Sequence, residues 1–185
     1  EYELPEIIQS QIDHRHEYTF ARGLRAILRQ DPDIILVGEI RDPETAKTAA
    51  DAALTGHMVF ATLHTNSAIE SIPRLVSMGV NTYLLAPAVR AILAQRLIRR
   101  VCGDCKGKEG MTCATCGGSG YKGRLSLPEL LTVDTGLRDL ILENAEQKVL
   151  EEYVKKHGFR SMKERGEDLV KAGLTSKAEV ARVTA

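Results

Sequence analysis

Hydrophobic and polar positions in the first hundred residues follow two periods in turn. Ile34, Ile35, Leu36 and Val37 run unbroken into Gly38 and Glu39, the pattern of a short strand buried on both faces. A second apolar stretch, MVFATL at 58–63, ends at His64. Around these strands the period lengthens to that of a helix. Thr19 opens FARGLRAILRQ, which Asp31-Pro32 ends because the residue before proline is pushed out of helical geometry. Asp42 before Pro43 marks a helix start, an N-cap acid with proline at the first helical position; ETAKTAADAAL continues it and Gly56 closes it. Ser67 with Glu70 reads as a capping box for a helix that Gly79 ends, and a longer apolar helix is expected from about Leu84 to Arg100. Strands alternating with helices of this length predict an α/β fold, a mostly parallel sheet flanked by helices.

The texture changes after Arg100. Residues 101–127 gather seven glycines and all four cysteines, with little apolar periodicity before GRLSLPELL, too little to hold a fold without help. Residues 128–185 return to a helical period, with starts at Asp134, at Ser161 with Glu164 and at Ser176 with Glu179. The chain therefore divides into an α/β stretch (1–100), a cysteine-rich segment (101–127) and a helical C-terminal subdomain (128–185).

At 185 residues the chain can bury one substantial core with a small appendage. No run of about 18 apolar residues is present, so nothing in the sequence spans a membrane as a helix. The opening EYELPE is acidic and proline-bearing, where a secretory signal would need a basic start and an apolar core. Lys+Arg and Asp+Glu balance at 25 each, which argues against broad binding to nucleic acid or anionic lipid and leaves room only for a local basic patch. Two CxxC pairs so close together favour a metal site in a reducing compartment over disulfides, so a cytosolic location is expected.

Glu39 is the first chemical candidate. A carboxylate just past the C-terminal end of a parallel strand faces the crevice where such sheets bind ligands, and there it can order magnesium-bound water or polarise an attacking water. Asp42 is explained as the cap before Pro43. His64, ending the next strand, reaches the same edge, where an imidazole can donate a hydrogen bond to a terminal phosphate or sense its loss. His57, at that strand's start, falls at the opposite edge and reads as structural on geometry alone. Cys102-x2-Cys105 and Cys113-x2-Cys116, seven residues apart, match tetrahedral zinc spacing, and four thiolates leave no open position for catalysis. Gly103, Gly117, Gly118 and Gly120 leave backbone amides able to bend toward the sulfurs. An iron–sulfur centre is the less favoured alternative, and CATCGGSG also fits one copy of the CxxCxGxG knuckle of zinc-bearing co-chaperones. Arg90, Arg96, Arg99 and Arg100 crowd the expected helix 84–100 and read as a solvated face, with nucleic acid the minor alternative.

LRAILRQDPDIILVGEIRDPETA, AALTGHMVFATLHTN and LAQRLIRRVC, followed by GYKGR, MKERGEDLVKAGLTSKAEV and the final RVT, closely resemble the hexameric motor ATPases of bacterial type II secretion and type IV pilus assembly. The resemblance covers essentially the whole chain and implies a RecA-like core. By this resemblance DIILVGEIRD is the Walker B segment, with Glu39 its acid. AALTGHMVFATLHTN is the histidine box, which brings His57 as well as His64 into the active-site region, against the geometric reading of His57. Arg74, ten residues after His64, matches by position an arginine finger that acts across a subunit boundary. EYELPEIIQSQID is similar to the sequence just after the family's acidic "Asp box", with Glu1 its last residue, so the cofactor-binding candidates are Glu1, Glu39 and His64.

For the intact protein the resemblance implies ATP and Mg2+, structural Zn2+ on the four cysteines, and a homo-hexamer. It also implies an inner-membrane platform protein and a cytoplasmic adaptor as partners, no nucleic acid, and a place at the cytoplasmic face of the inner membrane. The tetracysteine segment is similar to that of secretion and pilus-extension members, which disfavours retraction. The phosphate loop GxxxxGK[ST] occurs nowhere in the 185 residues, so a C-terminal fragment or truncated homologue is expected, its RecA-like fold partial and its own nucleotide affinity weak. The rival readings are a non-enzymatic zinc interaction module on an α/β scaffold and a RecA-like nucleic-acid motor domain. A Walker A segment upstream, with ATPase activity, would decide for the motor.

Overall fold

Two parallel strands and the small-residue face of one helix make the centre of the α/β part. In the computed structural model, which describes residues 3–108, 110 and 112–184, the chain falls into two units. The first takes in the chain as far as Thr65, then Glu70–Arg90 and Val133–Gln147, the last containing α5 (Thr135–Leu142). Its strands β1 (Ile34–Val37) and β2 (Met58–Ala61) pair in parallel, Ile34 opposite Met58 and Val37 opposite Ala61. Thr19 caps α1 (Phe20–Ile27) by accepting from the Arg22 amide at 3.3 Å. Asp42 caps α2 (Pro43–Leu54) by accepting from the Thr45 amide at 2.8 Å, with Pro43 in the first turn as expected. α2 buries Thr45, Ala46, Ala49, Ala50 and Ala52 and packs on α1, β2 and a later helix, α4 (Thr82–Ala88); small side chains let backbone and sheet approach closely.

Burial of β1 on both faces, as its apolar run suggested, is found on one face only. Ile35 and Val37 are buried, whereas Ile34 and Leu36 are 66% and 69% exposed and their partners Met58 and Phe60 are 52% and 55% exposed. Among the described residues of the first unit, helices cover the side of the pair that carries Ile35 and Val37. The expected capping box at Ser67 and Glu70 also differs: α3 (Ser71–Ser77) begins later, with Glu70 as an N-cap that makes no side-chain cap bond.

The expected helix 84–100 ends at Ala88, with Pro87 in its last turn and Val89 already extended. Ala91–Val101 instead forms β3, antiparallel to β4 (Tyr121–Thr132), and this ladder opens the second unit. Leu, Ala, Gln and Arg are good helix formers, so local preference misleads here. The deciding signal is the alternation in which Ile92, Ala94, Arg96 and Ile98 turn inward from Leu93, Gln95, Leu97 and Arg99. The four arginines therefore lie on or beside a strand. β3 and β4 run across the boundaries drawn at residues 100 and 127, so the cysteine segment is the loop of a β-ribbon and residues 128–132 are strand.

The second unit also holds Asn66–Ile69, most of α6 (Gln147–Lys156), α7 (Met162–Lys171) and α8 (Lys177–Thr184). Ile98, Leu127 and Met162 form its buried centre, with Ala94, Leu125, Leu169 and Val183 packed around them. The Ser161–Glu164 capping box is complete. Gly166 permits a close approach of α7 to α8, since a Cβ there would stand 2.5 Å from Val180 Cγ1. Ser176 accepts the Glu179 amide at 3.1 Å, but the Glu179 carboxylate does not close a second box. Buried completely, it takes the Arg99 amide and guanidinium at 2.8–2.9 Å and the Arg182 guanidinium at 2.6–2.9 Å.

Candidate functional site

Glu39 and His64 meet where the two parallel strands end. Beyond Val37 the chain is stapled to the end of β2: the Ile40 amide donates to the Thr62 carbonyl at 2.9 Å, and the Thr62 hydroxyl donates to the Gly38 carbonyl at 2.5 Å. This clamp leaves Glu39 between the two strand ends, its side chain 20% exposed. One carboxylate oxygen, Oε2, receives Arg41 Nε at 2.5 Å and lies 3.4 Å from His64 Nε2. The carboxyl ends of parallel strands are where open α/β sheets bind their ligands, so an acid and an imidazole converge on the expected edge. Arg41 is a member that the sequence reading missed; its spacing, two residues after Glu39 on an irregular stretch, carries no periodic signal.

The neighbouring candidates are placed differently. Asp42 is the cap of α2; burial works against its ionisation, but the hydroxyl and amide of Thr45 outweigh that and hold its carboxyl below the ordinary range. His57 stands at the other end of β2 from His64. Its Nδ1–H donates to the Ala52 carbonyl at 3.0 Å and its ring also meets the Thr55 hydroxyl, which ties it to the end of α2. Arg74 lies in the last turn of α3, exposed. Glu1 lies outside the described residues.

The second unit carries the cysteines. The last pair of the β-ribbon, Val101 with Tyr121, and a bond from the Cys102 amide to the Gly120 carbonyl at 2.8 Å close the base of the loop. All four sulfurs lie within 4.8 Å of one another, with Cys102 to Cys113 at 3.9 Å and Cys105 to Cys116 at 3.6 Å. A tetrahedral ion with metal–sulfur bonds of zinc length sets sulfurs about 3.8 Å apart, close to these two separations, so the quartet is compatible with such an ion. Of the glycine amides expected at the sulfurs, those of Gly118 and Gly120 donate to Cys116, whereas the Gly117 amide donates to the Cys113 carbonyl at 2.8 Å and Gly107 donates to Cys105. Burial pushes the Cys116 thiol up, but the Gly120 amide, the Cys105 and Cys113 thiols and the Gly118 amide together bring it down to about 6. Cys105 is pushed up to about 12, by burial first and then by the thiols of Cys116 and Cys102. A bound cation would favour the thiolate form of all four sulfurs.

Fold and site together define a RecA-like α/β protein with a four-thiol loop. The chain belongs to the family described as "Type II/IV secretion system protein", which it matches over residues 1–182. It is 48% identical over 189 residues to the type II secretion system protein HxcR of Pseudomonas aeruginosa, covering 100% of this chain and 40% of that protein. It is 44% identical over 204 residues to the type IV pilus assembly ATPase PilB of Thermus thermophilus, covering 97% of this chain and 23% of that protein. Among solved structures, the pilus retraction motor PilT with bound ADP resembles it with a TM-score of 0.70 at 36% identity, over 89% of this chain and 43% of that one. The chain spans 40% or less of the length of these two sequence relatives.

Proposed function

We propose that this chain is the C-terminal portion of a hexameric ATPase that uses ATP and Mg2+ to drive type II protein secretion or type IV pilus extension. The observation that carries the reading is the apposition of Glu39 and His64 at 3.4 Å, at the carboxyl ends of β1 and β2, within a chain that matches the family over residues 1–182. When bound, magnesium neutralises charge on the phosphate oxygens. Glu39, held by the clamp at Thr62, would order a metal-bound or attacking water and accept its proton. His64, 83% exposed, is placed to donate to a terminal phosphate oxygen or to register its loss. Arg74 would stabilise transition-state charge in a neighbouring subunit, which suits its exposure on α3. His57, bound to the end of α2, supports the active-site edge through the helix that Asp42 starts.

The four cysteines would hold one structural Zn2+, whose chemistry is charge neutralisation and cross-linking of the ribbon loop. In the intact protein the ring would act on an inner-membrane platform protein through a cytoplasmic adaptor, at the cytoplasmic face of the membrane. The uncovered face of β1 and β2 supports a larger sheet domain in that protein. The phosphate cradle is expected in its preceding part, so the test compares two preparations. The longer protein should hydrolyse ATP and bind it tightly, whereas residues 1–185 alone should give negligible hydrolysis and only weak binding by calorimetry. Micromolar ATP affinity for the isolated chain would overturn this division of labour.

A further inference from the structure

The base of the cysteine loop is tied to the C-terminal helices, and every residue of the junction belongs to the second unit. Val101 and Tyr121 are the ribbon's last pair, and sulfur-bearing chain begins beside them. Cys102 follows Val101, while Gly120, just before Tyr121, donates its amide to Cys116. Backbone groups of β3 that do not bond to β4 are taken up by the turn between α7 and α8. The Val101 amide donates to the Leu174 carbonyl, the Thr175 hydroxyl to the Arg99 carbonyl and the Arg99 amide to Glu179 Oε1, each at 2.9 Å. Side chains double this attachment. The hydroxyls of Tyr121 and Ser176 share a hydrogen bond at 2.7 Å. The Arg99 guanidinium lies 4.2 Å from the centre of the Tyr121 ring and donates to Glu179 Oε2 at 2.8–2.9 Å. Thr175 and Glu179 are buried, which shields these bonds from exchange with water.

We propose that this junction, with Tyr121 at its centre, is a relay between the cysteine loop and α8: α8 held in place sets the sulfurs for a metal ion, and a bound ion tightens the hold on α8. The proposal rests on the reading of the quartet as a zinc site. Gly120 is the link on the loop side. Its carbonyl accepts the Cys102 amide at 2.8 Å and its amide serves Cys116, so one residue from each CxxC turn depends on it. Tyr121 is the link on the helix side, with its hydroxyl on Ser176 and its ring face under Arg99. Groups that orient a metal's ligands from behind change its affinity by about 10–100-fold. Whatever factor the junction adds to zinc affinity must return as stabilisation of the junction by zinc, since coupling between two equilibria is reciprocal.

The test measures zinc affinity of the 185-residue chain against a competing chelator, and amide hydrogen exchange with and without zinc. Tyr121→Phe removes the hydroxyl and keeps the ring, and Ser176→Ala removes the hydroxyl's partner. Each should weaken zinc binding about tenfold. Arg160→Gln, which breaks an exposed pair with Asp168 on α7, should leave it unchanged. In the wild-type chain zinc should slow exchange of the Arg99 and Glu179 amides, which donate to Glu179 Oε1 and Ser176 Oγ. The His157 amide, bonded to the Tyr153 carbonyl at the end of α6, should keep its rate. In Tyr121→Phe the slowing should shrink, and Ser176→Ala decides the matter if Tyr121→Phe does not fold. Wild-type zinc affinity in the folded variants, or zinc bound with no change at the Arg99 and Glu179 amides, would overturn the relay while the zinc site stands. A wild-type chain that binds no zinc at all would overturn the reading of the quartet and the relay with it.

Discussion

Single residues carry the organisation of this protein where they are buried and charged. Glu179 is the clearest case. Its carboxyl is held well below its ordinary value of 4.5 by the Arg182 side chain first, against the opposing pull of burial, and by the Arg99 side chain and amide. A carboxyl depressed in the folded state contributes stability that is complete above its unfolded pKa. That contribution declines as pH falls below about 4.5 and is gone once the folded carboxyl itself takes up a proton. Both arginines are about half exposed, which screens the pair. We expect Glu179→Gln to cost about 1–3 kcal/mol at pH 7. The gap between variant and wild type should narrow toward pH 3, measured by urea unfolding at both pH values. An equal gap at both would contradict a charged Glu179. The motif Ser176-x-x-Glu179 reads from sequence as a capping box, and half of that reading holds: the serine caps, while the acid has a partner eighty residues away on β3. Local spacing cannot report a contact of that range.

At the scale of elements, the sequence disclosed most where a cap and a period agreed. Thr19, Asp42, Asp134 and Ser161 all mark true helix starts, because capping is settled within four residues of chain. The ribbon of β3 and β4 was hidden for the opposite reason. Its pairing closes across the cysteine loop, and its residues favour a helix when judged alone. Pro87, together with the period-two alternation after Val89, was the available warning. The four cysteines were fully legible, since two CxxC turns need no long-range information to present four thiols. We expect the purified chain to hold about one zinc ion, bound by Cys102, Cys105, Cys113 and Cys116. Cys113→Ser should loosen residues 102–120 to proteolysis while the ribbon, secured by Ile98 and Leu127 in the buried centre, stays folded. Metal analysis that finds no zinc, with all four thiols reactive, would contradict this.

For the whole molecule, the acid at the end of β1 is the centre of the proposed chemistry. The sequence led to Glu39 and His64 because a strand that ends in an acid and a strand that ends in histidine must share an edge when they run parallel. It could not supply Arg41, whose place at Glu39 depends on side-chain direction. The most direct measurement is ATP turnover by the longer protein with Glu39→Gln. That change removes the charge and keeps the size, and nucleotide affinity is expected to depend on the preceding phosphate cradle. Affinity should therefore change little, while turnover should fall about a hundredfold or more, the scale at which general bases and charge-stabilising groups act. Asp42→Asn serves as the control: asparagine caps nearly as well, so it should cost at most about 1 kcal/mol of stability and leave turnover largely intact. Normal turnover in Glu39→Gln, with Asp42→Asn inactive, would contradict the assignment of the two acids.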